Sequence, residues 1–353
     1  MLKRRCRSGS SSAKRIALPK VTETAHVMTQ RGTGQRILVT GANGFIGRAL
    51  CKKLLKEGFR VRGAVRSTEN RTILPESLDL VPVGRIDGHT DWSYALPGIE
   101  VVVHLAARAH RLTEDASDPL TEYRRTNVDG TVRLARAAAA AGVHRIVFMS
   151  SIGVLGQRTT ERPFAEHVVP DPQTPYAISK HEAELVLREV ASGSALQVVI
   201  VRSPLVYGPE NPGNFYRLLK LVAKGWPLPF ASIRNSRSLI YIGNLVDALK
   251  ACIVEPQAAG QVYCVSDGEN ISTPDLIRGI AAAMRRPSRL YSFPPALLVT
   301  AGKLLNKSSA IDKLISSLVV DTQKIEKELH WKAPFTVADG LKATADWYVH
   351  MPK

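Results

Sequence analysis

Apolar, strand-like runs alternate with helical segments from residue 36 onward. The first strand passes into the first helix through a glycine turn, Gly41-Ala42-Asn43-Gly44-Phe45-Ile46-Gly47. Together these observations predict an α/β fold: a doubly wound parallel sheet covered by helices on both faces, followed by a smaller, mostly helical C-terminal substrate domain. The strand before the turn reads Ile37-Leu38-Val39-Thr40, and the helix after it carries Leu50, Cys51, Leu54 and Leu55. The glycines let the backbone turn tightly and approach a phosphate, while the helix start offers unpaired N–H groups and a partial positive charge. Gly41, Asn43, Gly44, Phe45, Ile46 and Gly47 are therefore candidates for holding a dinucleotide pyrophosphate.

The remaining elements follow from pattern. Strands are expected at Arg60–Val65, 101–105, 145–149 and 197–201, with helices at 128–141 and 176–191 between them. Beyond Tyr207 proline and glycine become frequent, and helices return at 214–224, 245–254, 274–284 and the C-terminus. The expected division is a basic tail over 1–35, a dinucleotide-binding domain over 36–205 and a substrate domain over 206–353.

The chain has 353 residues, 44% of them hydrophobic, enough for a large core. Its formal charge is +17. Residues 1–35 hold eight Lys or Arg against a single acid, Glu23, with no apolar period, and are expected to be disordered. That tail is open to several readings: a contact with nucleic acid or anionic lipid, an organelle-targeting segment, or an extension without function before a start at Met28. No specific nucleic-acid partner is expected. The positive body suits anionic ligands. Cys6, Cys51, Cys252 and Cys264 lack metal-like spacing, so no metal site is expected and a reducing cytoplasm fits them best. No apolar run is long enough to span a bilayer; residues 296–299 are too short, though they leave a peripheral membrane contact open.

Tyr176 and Lys180 stand at i and i+4 on an expected helix, so their side chains share a face. A phenol loses its proton near pH ~10, and a neighbouring ammonium lowers that value, giving a group able to exchange the proton of a sugar hydroxyl. Ser151 closes the strand ahead of this helix, at the sheet edge where such folds bind ligands, and could hold the same hydroxyl. The bland alternatives are a surface Tyr/Lys pair and a loop-capping serine.

As a set, TGANGFIG (40–47), VVHLAA (102–107), NVDGT (127–131), SSIGVLG (150–156), YAISK (176–180), RSPLVYGP (202–209), RSLIYIGNLVDA (237–248) and VDTQKIEKELHW (320–331) resemble the extended short-chain dehydrogenase/reductase superfamily. Within it they resemble the nucleotide-sugar epimerase/dehydratase/reductase family, from residue 36 to about 350. The resemblance implies a Rossmann-type fold, NAD or NADP as cofactor, a UDP-sugar substrate and a homodimer built on helices 128–141 and 176–191. It implies a catalytic triad of Ser151, Tyr176 and Lys180; the 25-residue gap from Ser151 to Tyr176 also matches UDP-glucose 4-epimerases. It implies that Ile86, Leu105, Ala106, Ala107, Asn127, Ser150, Pro204 and Val206 line the cofactor, Asn127 being readable also as a helix N-cap. Arg237 corresponds to an arginine on the nucleotide-sugar pyrophosphate, and Asn214 to a further substrate contact.

The departures bear on cofactor and reaction. Where NAD-using members carry an acid after the second strand, this chain reads Ala64-Val65-Arg66-Ser67, and Arg66 could meet a 2′-phosphate of NADP. The acid expected near adenine is replaced in Gly84-Arg85-Ile86, with Asp87 two positions on from Arg85. Ser238 and Asn244 also stand where acids are common. Ile152-Gly153 replaces the acid pair of the dehydratases, which argues against dehydration. The leading expectation is an NAD(P)-dependent oxidoreductase acting at C4 of a nucleotide sugar, namely a UDP-4-keto-6-deoxy-N-acetylhexosamine 4-reductase in surface-polysaccharide synthesis. The alternative is a UDP-glucose or UDP-N-acetylglucosamine 4-epimerase. A non-catalytic dinucleotide-sensing regulator is the alternative of another class.

Overall fold

The computed structural model describes residues 34–68, 74–109, 118–304 and 308–351. The basic tail, Cys6 and Met28 lie outside them.

A seven-stranded, all-parallel sheet forms the first layer. Its strands are β1 (Arg36–Thr40), β2 (Arg60–Val65), β3 (Asp79–Pro82), β4 (Val101–His104), β5 (Arg145–Ser151), β6 (Gln197–Ser203) and β9 (Val262–Cys264), in the spatial order β3-β2-β1-β4-β5-β6-β9. The order turns back between β1 and β4, the crevice where doubly wound sheets take ligands. Alternation along each strand covers both faces. Ile37 and Val39 pack toward helix α1 (Phe45–Lys56) and helix α6 (Ile242–Val254). Leu38 and Val102 pack the other way, toward α3 (Gly130–Ala140) and α4 (Pro175–Ser192).

Local chemistry sets the helix boundaries. α4 opens with Thr174, whose hydroxyl accepts the Ala177 N–H, followed by Pro175 at the first helical position. Before α3 the chain is already helical: α2 (Pro119–Arg124), capped by Asp118, runs through a π-helical turn at Arg125–Asp129. Asn127 is therefore inside a continuous helical run, which removes its reading as an N-cap. Short strands without alternation escaped the sequence pattern: β3, β7 (Leu205–Tyr207), β8 (Arg237–Tyr241) and β10 (Asn270–Ile271). The last of these joins β8 and β7 in a small sheet of order β10-β8-β7.

A second core gathers Tyr207, Phe215, Leu239, Ile277, Ile280 and Leu341 around that sheet, from α5 (Asn214–Ala223), α7 (Thr273–Ala283) and α11 (Val337–His350). The chain between 242 and 264 returns to the large sheet, with α6 against α1 and β9 on its edge. Lys53 of α1 reaches Asp247 of α6 at 3.0 Å, and Lys250 reaches Glu57 at 3.0 Å.

The turn after β1 is tight. A Cβ on Gly47 would overlap the Gly41 carbonyl oxygen and come within 2.8 Å of the Ala42 Cα. Gly47→Ala should therefore destabilise the fold by about 1–3 kcal/mol, as overpacking against backbone does. Urea unfolding checks this.

Candidate active site

The glycine turn leaves a cradle at the sheet's carboxyl edge. Gly41 holds φ +68°, which favours glycine, and a Cβ there would lie 3.0 Å from the Ala106 backbone. Ala106 in turn donates its N–H to the Thr40 hydroxyl at 3.1 Å. The ends of β1 and β4 thus touch through Gly41 and Ala106. α1 starts behind them with Gly44 as N-cap. No side chain caps it and no acid stands in its first turn, so the leading N–H groups face the crevice. Backbone this bare, at a helix start, fits a dinucleotide pyrophosphate.

Across the crevice, Ser151 ends β5, and its Oγ accepts the Gly153 N–H at 3.1 Å. A Cβ on Gly153 would lie 3.3 Å from that Oγ and 3.7 Å from the Ala177 Cβ, so Gly153 lies between the end of β5 and the first turn of α4, the turn that carries Tyr176. Lys180 follows one turn later. It is 2% exposed, and its Nζ lies 3.8 Å from the centroid of the Phe148 ring. Burial lowers its pKa to about 7, against the opposing pull of the Glu184 carboxylate. Tyr176 stacks edge-on with Tyr123, centroids 6.1 Å apart. Its pKa is raised to about 12, first by burial and then by Tyr123. The direction is opposite to the expected depression of the phenol by the lysine: burial is the dominant cause, and it disfavours the charged forms of both the phenol and the ammonium.

The other expected residues fall into three groups. Leu105, Ala106, Ala107, Pro204 and Val206 lie just past the carboxyl ends of β4 and β6, on the same edge as the turn. Asn127 is buried; it accepts the Arg108 N–H at 2.8 Å and donates to the Ser179 hydroxyl at 2.9 Å, tying the segment after β4 to α4. Ser150 gives its hydroxyl to Glu184 at 2.5 Å and so points into the protein. Ile86 packs against Gly130, where a Cβ would come within 2.7 Å of the Ile86 Cγ2. Asp87 is held in its own turn by the Thr90 hydroxyl and lies 3.6 Å from Arg125. Arg66 is exposed at the end of β2.

Arg237 and Asn214 belong to the second core. Arg237 opens β8, and its Nη1 donates to the Ser316 carbonyl at 2.9 Å. It pairs with no carboxylate among the described residues, and burial lowers its pKa. Asn214 is the exposed first residue of α5. Ser238 and Asn244 are satisfied without the expected acids: Ser238 donates to Asn270 Oδ1 at 2.6 Å, and Asn244 donates to Asp267 Oδ1 at 2.7 Å. Asp267, which also accepts the Tyr207 hydroxyl at 3.0 Å and the Tyr241 N–H at 2.8 Å, supplies a carboxylate from a distant part of the chain.

Two buried networks behind the site escaped the sequence reading. Arg202 grips Glu184 with two bonds, Nε at 3.0 Å and Nη2 at 2.6 Å. The signals were present: Glu184 is four residues beyond Lys180 on its helix face, and Arg202 interrupts an apolar strand. The second network centres on His104. Thr131 donates to the Asn127 carbonyl at 2.6 Å, so its oxygen accepts from His104 Nε2 at 3.0 Å. Nδ1 then accepts the Thr40 hydroxyl at 2.7 Å. Burial, with Lys180 nearby, drops the His104 pKa to about 3 and keeps it neutral.

The fold is the doubly wound, Rossmann-type class, with a glycine turn at its carboxyl edge. Residues 37–266 match the NAD dependent epimerase/dehydratase family, and the chain belongs to it. The chain is similar to a UDP-glucose 4-epimerase of Vibrio cholerae, 43% identical over 316 residues that cover 89% of this chain and 95% of that one. It is also similar to N-acetyl-alpha-D-glucosaminyl-diphospho-ditrans,octacis-undecaprenol 4-epimerase of Escherichia coli O157:H7, at 28% over 90% of this chain and 96% of that one. Among solved structures, the Bordetella bronchiseptica enzyme WbmG in complex with NAD aligns with a TM-score of 0.70 and 25% identity, covering 91% of this chain and 96% of that one. The chain is thus an NAD-dependent enzyme of nucleotide-sugar chemistry.

Two outcomes test the electrostatics. Arg202→Met leaves Glu184 buried without its partner and should cost about 3–5 kcal/mol in denaturant unfolding. Native Lys180 releases its proton near pH 7, whereas an unfolded lysine holds it to about 10.4, so the unfolded chain binds more protons between those values. Unfolding free energy of the native protein should therefore rise from pH 7 to 10 relative to Lys180→Met; a flat difference would contradict the lowered lysine pKa.

Proposed function

We propose that this chain is a UDP-sugar 4-epimerase that keeps NAD bound through the reaction. The observation that carries the reading is the placement of Ser151 and Tyr176 on the sheet's carboxyl edge, across the β1–β4 crevice from the glycine turn. Similarity to the Vibrio cholerae enzyme over nearly its whole length favours epimerisation over net reduction.

In this reading the glycine turn would hold NAD, which when bound would supply reversible hydride exchange at the sugar C4. The chain supplies the rest. Phe45, Ile46 and Gly47 hold the pyrophosphate through their backbone N–H groups, and Leu105–Ala107, Pro204 and Val206 wall the crevice. Ser151 holds the C4 oxygen, and Tyr176 takes its proton and gives it back. Since burial sets the phenol near 12, proton transfer needs a compensating cation, and Lys180 is the cation on its helix face. Arg237, half-buried and paired with no carboxylate among the described residues, anchors the substrate diphosphate. Net reduction of a 4-keto UDP-sugar is the second reading, favoured by exposed Arg66 in place of a ribose-binding acid.

Two further features belong to this proposal. A homodimer through α3 and α4 is supported by Leu185, 53% exposed on the outer side of α4. Cytoplasmic placement is supported by the free, buried thiols of Cys51, Cys252 and Cys264.

The purified protein should interconvert UDP-glucose and UDP-galactose without added cofactor. Tyr176→Phe should lower turnover by about 10²–10⁴ while retaining the NAD released on denaturation; near-normal turnover would reject the tyrosine's role. Arg237→Ala should raise KM far more than it lowers kcat, and an unchanged KM would remove Arg237 from the substrate site.

A further inference from the structure

Two stretches of the second half carry cations and no acid. Residues 211–246 contain five Lys or Arg, and residues 276–311 contain six, with no Asp or Glu in either. The fold lays them side by side. The Leu228 N–H donates to the Arg289 carbonyl at 2.8 Å, Tyr291 N–H donates to the Leu228 carbonyl at 3.1 Å, and the Arg286 guanidinium bonds the Ala223 carbonyl. Lys224, Arg285, Arg286 and Arg289 are all exposed there.

Large apolar side chains stand out among these charges. Trp226 is 57% exposed with the Lys224 ammonium 5.0 Å from its ring, and Tyr291 is 47% exposed. Helix α8 (Pro295–Leu304) follows, with Leu297, Thr300 and Leu304 exposed at i, i+3 and i+7, so they lie on one face. Leu297 is 53% and Leu304 81% exposed. Asp346 of α11 senses the charge of Arg285 but already holds Lys342 at 2.6 Å, so it does little to neutralise the face.

We infer that this face, formed by the 224–226 turn, the 285–291 segment and helix α8, docks on an anionic phospholipid surface. Tryptophan and tyrosine seat at the headgroup level, leucines enter the acyl boundary, and lysine and arginine meet lipid phosphates. A second copy of the chain would bring like charge against like, and a nucleic acid would leave Leu297 and Leu304 without a partner. The inference is independent of which C4 reaction the site performs. It places the enzyme where a membrane-bound glycosyl-transfer step could consume its product.

The test is co-sedimentation of the full-length protein with vesicles of equal parts phosphatidylglycerol and phosphatidylcholine, beside vesicles of phosphatidylcholine alone. The expected result is binding to the anionic vesicles only, with a blue shift of tryptophan emission. Lys224→Glu/Arg289→Glu should weaken partitioning at least about tenfold, given the contribution of each cation near such a surface. Leu297→Ser/Leu304→Ser should weaken it while leaving its salt dependence in place. Both variants should keep wild-type unfolding curves and epimerase activity; a variant that unfolds is replaced by Trp226→Ala, read by the same assay. Wild-type binding by the variants, which would assign the contact to the basic tail, overturns the inference. So does equal binding to neutral vesicles, or binding to a single-stranded oligonucleotide with none to vesicles.

Discussion

The burial of one ammonium organises the candidate site. Lys180 lies between α4 and the sheet, with the Phe148 ring on one side and Glu184 a turn along its helix. A charge in such a place is costly unless partners compensate it. The Glu184–Arg202 pair, closed by the Ser150 hydroxyl, fixes a counter-charge without letting it collapse onto the lysine. Keeping His104 neutral avoids a second cation in the same space. Burial thus lowers the lysine's pKa to about 7 against the pull of Glu184, and it raises that of Tyr176, one turn earlier on the same helix.

The crevice itself depends on close backbone contact. Gly41 against Ala106 and Gly47 against Ala42 bring the start of α1 to the end of β4, and bulk at either glycine would push helix and strand apart. The second core is tied to the first by the chain's return: α6 lies on α1 through ion pairs, and β9 extends the sheet. Asp267 then links three parts of the second core, through Tyr207, Tyr241 and Asn244. β8, which opens with Arg237, is thereby tied to the second core.

Much of this was legible in the sequence, for physical reasons. Arg60–Val65 and the helix around Tyr176 carry period, caps and length enough to declare themselves, and the glycine turn announces itself by composition. Strands of two to four residues such as β7 and β10 bury too little to leave a pattern. The π-helical turn at Asn127 looked like a helix start because a polar residue before an apolar run has two meanings. The direction of the Tyr176 shift was misread because spacing along a helix reports which groups are neighbours but not how dry their surroundings are. Arg202 and Asp267 act through contacts across 18 and 23 or more residues, which one sequence does not disclose.

The proposed 4-epimerase requires that hydride leave and return to the sugar C4 within one bound site while Tyr176 exchanges the proton. It is tested most directly with UDP-glucose deuterated at C4 and no added cofactor. The account predicts UDP-galactose with the deuterium still at C4, formed over many turnovers. Product that forms only as added NADPH is consumed, or that carries solvent hydrogen at C4, would contradict it.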